Sequence, residues 1–376
     1  MKALALVDAP EHVCCRYRLR AFEPALAKAG WSLTLRSLAR GAFRRWFQFA
    51  QAADFDTVIL QRKLLPGWQI HELRRRARHL VFDFDDAVLY RDSYDPRGPH
   101  CRKRAGRFAR TVRLADTVIA GNDFLADCAL RAGARPERVR VIPTCVDTEQ
   151  YTPRISTDEE RDAPRLDLVW IGSSSTLQGL EQQRPLWERL GREVLGIRLR
   201  LICDRFPSFA SIPVVEVPWN GATETDELAA GDVGVSWIPD DLWSRGKCGL
   251  KTLQYQAAGL PVVANPVGVQ AEMVVPGVSG LLAATDDAWV ESAKLLASDP
   301  DLCRRMGAAA RSSVELNYSV AAWSEAFVAS IANLDSIRLP RPASTAGGRI
   351  RAQGAPESGH PPGPFRQTFD SERIGR

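Results

Sequence analysis

Short runs of apolar residues alternate with amphipathic stretches along the first half of the chain. These runs predict buried strands at residues 3–7, 31–35, 57–60, 80–84, 117–120 and 139–142. Between the first two runs, helical spacing predicts a helix over residues 19–29, and Gly30 stands where such a helix ends. Strands that alternate with helices indicate βαβ units and therefore a parallel sheet.

The same alternation restarts in the second half of the chain. Apolar runs predict strands at residues 166–171, 198–202, 214–217, 233–237 and 261–264. Amphipathic patterns predict helices from the serines after Gly172 to about residue 195, and at 250–258, 287–297 and 301–315. The second half therefore repeats the α/β organisation of the first.

Two similar halves predict an α/β fold with two Rossmann-like domains, whose parallel sheets face each other across a cleft. The first domain is predicted over residues 1–152, a polar linker over 153–165 and the second domain over 166–335. In such folds the carboxyl ends of the strands form the ligand site. Residues 339–376 are rich in Pro, Gly and Ser and predict a disordered tail.

Composition narrows the class of protein. The chain of 376 residues is 45% apolar and 25% charged, which is typical of globular domains. No apolar run approaches the ~20 residues that span a bilayer. The first run ends at Asp8, which favours a buried strand over a signal peptide. The eight cysteines form no CxxC pair, so we expect reduced thiols, no metal site and a cytoplasmic protein.

Charge is distributed unevenly along the chain. Residues 1–150 carry 27 Lys and Arg against 17 Asp and Glu, whereas the remainder carries 23 against 28. A basic first half predicts an anionic partner there. Three basic stretches, at residues 40–49, 71–78 and 101–113, are typical of solvated helix faces. Together they also suit peripheral contact with an anionic membrane, with Trp46 and Phe47 in the interface. No recognition motif predicts a nucleic-acid partner.

The segment at residues 245–272 reads RGKCGLKTLQYQAAGLPVVANPVGVQAE. A glycine-bearing loop here leads into a predicted helix, and Gly259 and Pro261 separate that helix from a buried strand. The free amides and positive dipole end of a helix N-terminus suit an anion such as a diphosphate. Lys247 and Lys251 add charge at that position. The alternative is an ordinary loop-helix-strand unit with solvated lysines.

Three aspartates, Asp83, Asp85 and Asp86, end the predicted strand at residues 80–84. Carboxylates at the carboxyl end of a parallel strand suit catalysis or substrate binding, because they raise one another's pKa and can then transfer protons near neutral pH. The alternative is a set of solvated side chains. The stretch also resembles the DxDx motif of haloacid-dehalogenase phosphatases, which would use Asp83 and Asp85 with Mg²⁺. That motif normally lies on the first strand of its domain.

Several segments together resemble the group 1 glycosyltransferases, a retaining clan of nucleotide-sugar enzymes with the two-domain GT-B fold. The strongest is residues 245–272, which follow the pattern GxKxxxYxAAGxPVVAxPVG. Residues 141–153, VIPTCVDTEQYTP, resemble the family's interdomain stretch. Residues 272–282 continue the strongest match, residues 168–173 resemble the family's first strand and glycine turn of the second domain, and residues 16–30 match less specifically, so the resemblance covers about residues 1–330.

The resemblance implies roles on the donor side of the cleft. Gly249 and Leu250 would offer amides to the donor's diphosphate, with Lys247 and Lys251 pairing its charge. The phosphate side would also be lined by Gly172 and Ser173. Two positions depart from the family pattern: Gln254 stands where a glutamate usually holds the ribose, and Gly246 stands where another glutamate is thought to touch the sugar.

On the acceptor side, the resemblance implies that Asp85 and Asp86 face the cleft as catalytic residues. His12, Arg16 and Arg18 follow the first predicted strand and are candidate acceptor-side residues, since arginine suits phosphate or carboxylate. A helix near residues 319–334 would cross back to the first domain, as it does in the family.

The predicted function is sugar transfer from a nucleotide-sugar donor to an acceptor. We expect retention of configuration, no metal and no cofactor, with loop amides and lysines stabilising the leaving diphosphate. An anionic or lipid-linked acceptor, such as a cell-envelope polysaccharide precursor, would place the protein at the inner face of the membrane. Three alternatives remain open: a non-catalytic nucleotide-sugar-binding scaffold, an epimerase on the same fold, and the phosphatase.

Overall fold

The computed structural model describes residues 1–153 and 165–333. Its first sheet has six parallel strands in the order β2-β1-β3-β4-β5-β6. All six strands predicted for the first half are present. They are β1 Lys2–Val7, β2 Ser32–Ser37, β3 Thr57–Gln61, β4 His79–Phe84, β5 Thr117–Ala120 and β6 Val139–Val141.

Helices cover both faces of this sheet. The predicted helix over residues 19–29 is wrong in extent, because a first short helix ends at Arg18, a 3-10 turn follows at Arg20–Phe22, and the second helix begins only at Glu23. Pro24 lies at the start of the second helix, where its ring fits the first turn but would clash inside a longer helix. The helices are α1 Val13–Arg18, α2 Glu23–Lys28, α3 Ala42–Ala50, α4 Gly67–Arg76, α5 Arg102–Leu114 and α6 Asp123–Arg131.

The second sheet is also parallel and six-stranded, in the order β12-β11-β10-β7-β8-β9. Five of its strands match the predicted runs, and the three-residue β12 was not predicted. The strands are β7 Leu166–Ile171, β8 Ile197–Cys203, β9 Val214–Pro218, β10 Val233–Ser236, β11 Val262–Ala264 and β12 Gly280–Leu282. The predicted class, two parallel α/β sheets, is confirmed.

The helices predicted for the second half are present, although one of them is divided, and two short helices, Glu224–Ala229 and Gln270–Met273, were not predicted. The helix expected to run to about residue 195 is divided at Gln183, and a proline lies in the first turn of the helix that follows. The helices are α7 Leu177–Gln182, α8 Arg184–Glu193, α9 Glu224–Ala229, α10 Leu250–Ala257, α11 Gln270–Met273, α12 Asp286–Ser298, α13 Pro300–Asn317 and α14 Val320–Ala332. Among the described residues, no helix is long and apolar enough to cross a bilayer.

The last described helix packs back onto the first sheet. In α14 the Phe327 ring stacks on Phe22 with centroids 4.2 Å apart, and the Thr57 hydroxyl donates to the Ile331 carbonyl at 2.8 Å. The domain boundaries stay a prediction. Most of the predicted linker, residues 154–164, and the predicted tail, 339–376, lie outside the described residues.

Candidate functional site

The carboxyl ends of the two sheets meet around the loop that precedes α10. Asn122, just after β5, donates its amide to the carbonyls of Gly246 and Lys247 at 3.3 and 3.2 Å. The Cys248 thiol donates to the Asp85 carbonyl at 3.2 Å. This loop of the second half therefore lies directly against the strand ends of the first half, where a ligand site is expected.

The same contact explains one departure from the family pattern. A Cβ atom on Gly246 would lie 2.6 Å from the Ala87 Cβ and 2.9 Å from the Ala87 amide nitrogen. These distances are too short for any side chain, so a glutamate at this position cannot fit in the arrangement seen here. Close packing of the two halves thus requires glycine where the family has a carboxylate.

The N-terminus of α10 has no side-chain cap. Gly249 adopts φ +66°, a left-handed conformation that favours glycine, and it precedes Leu250 without any side-chain cap. The first amides of the helix consequently have no side-chain acceptor and retain their capacity to bind an anion.

Lys251 and Gly172 lie together beside this helix start. The Lys251 ammonium lies 3.7 Å from the centroid of the Trp170 ring, and a Cβ on Gly172 would come within 2.9 Å of that ammonium. Burial and, secondarily, repulsion from Lys247 lower the pKa of Lys251 to about 7. Ser173 is exposed and its hydroxyl pairs with that of Ser175 at 2.8 Å. The structure therefore gathers most of the predicted diphosphate residues at one place.

Asp85 and Asp86 are half-buried and surround an arginine that sequence reasoning did not single out. Arg62 follows β3 with φ +58°, pairs with Asp86, and lies 3.4 Å from Asp85. Burial raises the pKa of the Asp86 carboxyl, and the Arg62 charge opposes that rise. One ligand atom each of Cys14, Asp85 and Asp86 lies within 4.8 Å of the others, a grouping of the kind that holds a metal ion, and the Arg62 guanidinium contacts all three.

Arg18, predicted as an acceptor-side residue, is buried inside the first half of the chain. Its guanidinium is 1% exposed, pairs with the fully buried Asp83 at 2.5 Å and donates to the Ile142 carbonyl at 2.6 Å. The burial of Asp83 also removes the phosphatase alternative, because a nucleophile without exposed surface cannot reach a substrate. Arg18 and Asp83 instead form a buried ion pair inside the first half of the chain, at the carboxyl end of the interior strand β4.

His12 lines a cavity of about 140 Å³ next to this cluster. Its Nδ1 accepts the Cys14 amide at 3.2 Å and so caps α1. Asp8 and Lys63, which also line the cavity, form an ion pair at 2.6 Å. The full lining consists of Asp8, His12, Cys14, Gln61, Arg62, Lys63 and Val88.

A buried network joins the two halves and was missed by sequence reasoning. Glu224, the first residue of α9, is 3% exposed, and its Oε1 accepts from the Tyr17 hydroxyl at 3.0 Å and from the Gln254 amide at 3.1 Å. The Tyr17 and Tyr151 hydroxyls are 3.2 Å apart. Burial raises the pKa of Tyr17, and it raises that of Tyr151 to about 12, so both phenols stay protonated.

The network also holds two predicted site residues. Arg16 approaches Glu224 at 3.4 Å, and Gln254 is buried with its amide on Tyr17 and Glu224. The Trp219 indole donates to Glu224 at 2.7 Å. The only signal for Tyr17 in the sequence was its position between Arg16 and Arg18, and nothing local marked Glu224.

Two family models match the chain. Residues 8–150 match the model described as Glycosyltransferase Family 4, and residues 243–313 match the model described as Glycosyl transferases group 1. Together these matches span more than half of the chain. The second match contains the loop and helix α10 described above.

Curated relatives cover part of the chain. It is 28% identical over 239 residues to a D-inositol 3-phosphate glycosyltransferase of Pseudarthrobacter chlorophenolicus, covering 56% of this chain and 54% of that protein. It is 30% identical over 237 residues to a protein of the same name from Actinosynnema mirum, covering 55% of each. The matched part of the chain thus spans about half the length of these relatives.

Solved structures share the fold at low identity. A sucrose-phosphate synthase from Thermosynechococcus elongatus superimposes with a TM-score of 0.67 at 17% identity, covering 89% of this chain and 97% of that one. HepE of Anabaena, in complex with UDP and glucose, superimposes with a TM-score of 0.62 at 15% identity, covering 89% and 100%. At these identities the likeness establishes the two-domain GT-B fold.

Proposed function

We propose that this chain, which belongs to the group 1 glycosyltransferases, transfers a sugar from a nucleotide-sugar donor to an acceptor bound in the cleft. The observation that carries the proposal is the N-terminus of α10, where Gly249 leaves the first amides without a side-chain cap and Lys251 lies close by. Amides and lysines aimed at one point suit the diphosphate that leaves in such a reaction.

Lys247 and Lys251 give the donor site its charge. Among the described residues neither ammonium forms an ion pair with a carboxylate, so both can turn to a bound diphosphate. Positive side chains of this kind stabilise the leaving group without a metal, and we propose a metal-independent reaction for that reason.

A uridine diphosphate sugar is the proposed donor, because the HepE structure of the same fold was solved with UDP and glucose. Retention of configuration rests on the family resemblance alone.

Glu224 supplies a carboxylate near the position where the family pattern has one. The pattern places a ribose-binding glutamate at Gln254, and here the Glu224 carboxylate lies 3.1 Å from the Gln254 amide. An amide hydrogen-bonded to a carboxylate is held in one orientation, which leaves its carbonyl oxygen to accept from a hydroxyl. We therefore assign the ribose to Gln254, with Glu224 as its positioning residue.

The cavity beside His12 is the proposed acceptor site. Lys63 lines this cavity, and its partner Asp8 is largely exposed, so an anionic acceptor can replace that carboxylate; the curated relatives are named for a phosphate-bearing acceptor. Asp85 and Asp86 act in this proposal by holding the Arg62 guanidinium in place.

A lipid-linked acceptor would place the protein, on the cytoplasmic side, at the inner face of the cell membrane. Closure of the two halves around both substrates would exclude water and protect the donor from hydrolysis.

Thermal unfolding with nucleotides tests the proposal. We expect UDP or a UDP-sugar, with EDTA present, to stabilise the protein by about 2.7 kcal/mol at a hundred times its Kd. Lys251→Ala should abolish that shift, whereas Lys294→Ala, a control at an exposed lysine on α12, should keep it. Absence of a shift with any of UDP, GDP, ADP, CMP or their sugar conjugates would refute donor binding.

One observation favours a second candidate, a non-catalytic nucleotide-sugar-binding protein. The packing of Gly246 on Ala87 leaves no room for the first family carboxylate. Product analysis separates the two candidates: transfer of radiolabelled sugar to a phosphorylated acceptor supports the enzyme, and a thermal shift with neither transfer nor slow donor hydrolysis supports the binding protein.

A further inference from the structure

Helix α3 exposes a cluster of aromatic side chains. Phe43, Trp46 and Phe47 are 73%, 42% and 51% exposed, and their spacing of three and four residues places them on one helical face. Phe49 is fully buried and anchors the opposite face to the first sheet. Large apolar side chains grouped at a surface mark a contact with another molecule. We propose that this surface docks on a membrane of anionic phospholipids.

Charge complementarity identifies the occupant. Helices α3, α4 and α5 together carry eleven Lys and Arg residues and one acidic residue, Glu72. That single carboxylate is already engaged by Arg75 and Arg76. Basic side chains near a bilayer are attracted to anionic headgroups, while aromatic rings enter the boundary between headgroups and acyl chains. The combination on this surface meets both requirements.

The three helices form one continuous face. Leu4 and Leu6 of β1 pack with residues of α3, α4 and α5, whereas Ala3 and Ala5 pack with α2 and α14 on the other side of the sheet. Helix α3 contacts α4 through Arg45, which donates to the Gln69 side chain at 3.0 Å. Trp68, at the start of α4, is a further aromatic side chain of this face and is 53% exposed. A flat bilayer can therefore meet α3, α4 and α5 together.

The geometry of the rings favours lipid over single-stranded nucleic acid. Phe47 packs edge-to-face with both Phe43 and Trp46, at centroid distances of 4.8 and 5.1 Å. The guanidinium of Arg76 lies over the Trp46 ring at 5.7 Å. Nucleic-acid bases stack on open aromatic ring faces. In this cluster the rings pack against one another, so they form an apolar protrusion and not a surface on which bases stack. Docking does not depend on sugar transfer, but it would bring the cleft to a lipid-linked acceptor.

Vesicle flotation of the full chain tests the inference. The probes are vesicles of phosphatidylglycerol mixed with phosphatidylcholine and vesicles of phosphatidylcholine alone, at low and high salt. We expect binding to the anionic vesicles only, weakened by salt.

Phe43→Ser/Phe47→Ser should lower the partition coefficient about tenfold. Arg102→Ala/Lys103→Ala should lower it and reduce its salt dependence. The matched control, Leu195→Ser/Leu316→Ser, alters two exposed leucines of the second half and should bind as the unchanged protein does.

Three outcomes would overturn the inference. One is no flotation with anionic vesicles at low salt, and another is equal loss of binding in the Leu195→Ser/Leu316→Ser control. The third is tighter binding to a single-stranded oligonucleotide that the Phe43→Ser/Phe47→Ser change abolishes, which would make the surface a nucleic-acid platform. Circular dichroism of each variant separates loss of docking from loss of folding. Because no nucleotide is added, failure here leaves the proposed sugar transfer untouched.

Discussion

The two sides of the cleft use charge in opposite ways. On the first-half side, Arg18 pairs with Asp83, and Arg62 pairs with Asp85 and Asp86, so each cation already has its anion. On the second-half side, Lys247 and Lys251 form no ion pair within the part of the chain that the structure describes. The first side is therefore organised before any ligand arrives, whereas on the second side the proposed diphosphate would supply the counter-charge. Substitutions on the first-half side should mainly change the free energy of unfolding, whereas substitutions on the second-half side should mainly change ligand binding.

The largest expected effect is on the first side, at Arg18. Arg18→Met leaves the Asp83 carboxylate buried without a cation, and we expect it to lower the free energy of unfolding by about 3–5 kcal/mol, measured by urea titration. Burial raises the pKa of Asp83 in the folded protein. The loss should therefore shrink as the pH falls, because a protonated Asp83 no longer needs the cation.

The double variant Arg18→Met/Asp83→Leu is the matched control for that experiment. It removes both charges, and it should recover much of the lost stability. Equal destabilisation by the single and double variants would show that packing, and not the buried charge, accounts for the effect.

On the second side, Lys251 should affect binding more than stability. Its pKa of about 7 in the free protein means that a bound diphosphate, which favours the charged ammonium, must recruit a proton above that pH. UDP binding should therefore weaken by up to about tenfold per pH unit above 7, measured by calorimetry at pH 6, 7 and 8.

The Lys251→Arg variant provides the control, because a guanidinium remains charged throughout this range. It should remove the pH dependence between 7 and 8. A pH profile identical in the two proteins would contradict the assignment of Lys251 to the diphosphate.

Glu224 links the two sides, and its substitution should have an intermediate effect. Glu224→Gln keeps the shape but replaces charged hydrogen bonds to Tyr17 and Gln254 with neutral ones, at a cost of about 1–2 kcal/mol in unfolding free energy. If Glu224 positions Gln254 for the ribose, UDP should lose affinity while inorganic diphosphate does not. Equal loss for both ligands would mean a purely structural role.

The smallest effect is expected at Arg16, whose pair with Glu224 is long and one-third exposed. Arg16→Ala should change the midpoint of thermal unfolding by the equivalent of less than about 1 kcal/mol, since Glu224 keeps its hydrogen bonds from Tyr17, Trp219 and Gln254. A larger loss would show that the ion pair with Arg16 stabilises the buried carboxylate as well.

Sequence periodicity predicted most of the fold because buried parallel strands are continuous apolar runs. The errors have local causes. β12 begins at a glycine and offers only two apolar residues. The helix expected at 19–29 begins only at Glu23, next to Pro24, and the helix expected after Gly172 is divided at Gln183, close to Pro185. The motif at residues 245–272 predicted the donor side, since loop glycines and lysines there are adjacent in the sequence. The partners of Arg18 and Gln254 had no such signal.

The sequence by itself determined the order of strands and helices, the family and the position of the α10 loop, because these depend on residues that are near one another along the chain. The tertiary structure decided which charges are neutralised. Arg18 meets Asp83 from 65 positions away, and Gln254 meets Tyr17 from 237 positions away. A charge's free energy depends on its burial and on its neighbours in space. The same type of side chain therefore has three roles: Arg18 is a buried support, Arg16 is a partner of Glu224, and Arg62 is the centre of an aspartate cluster.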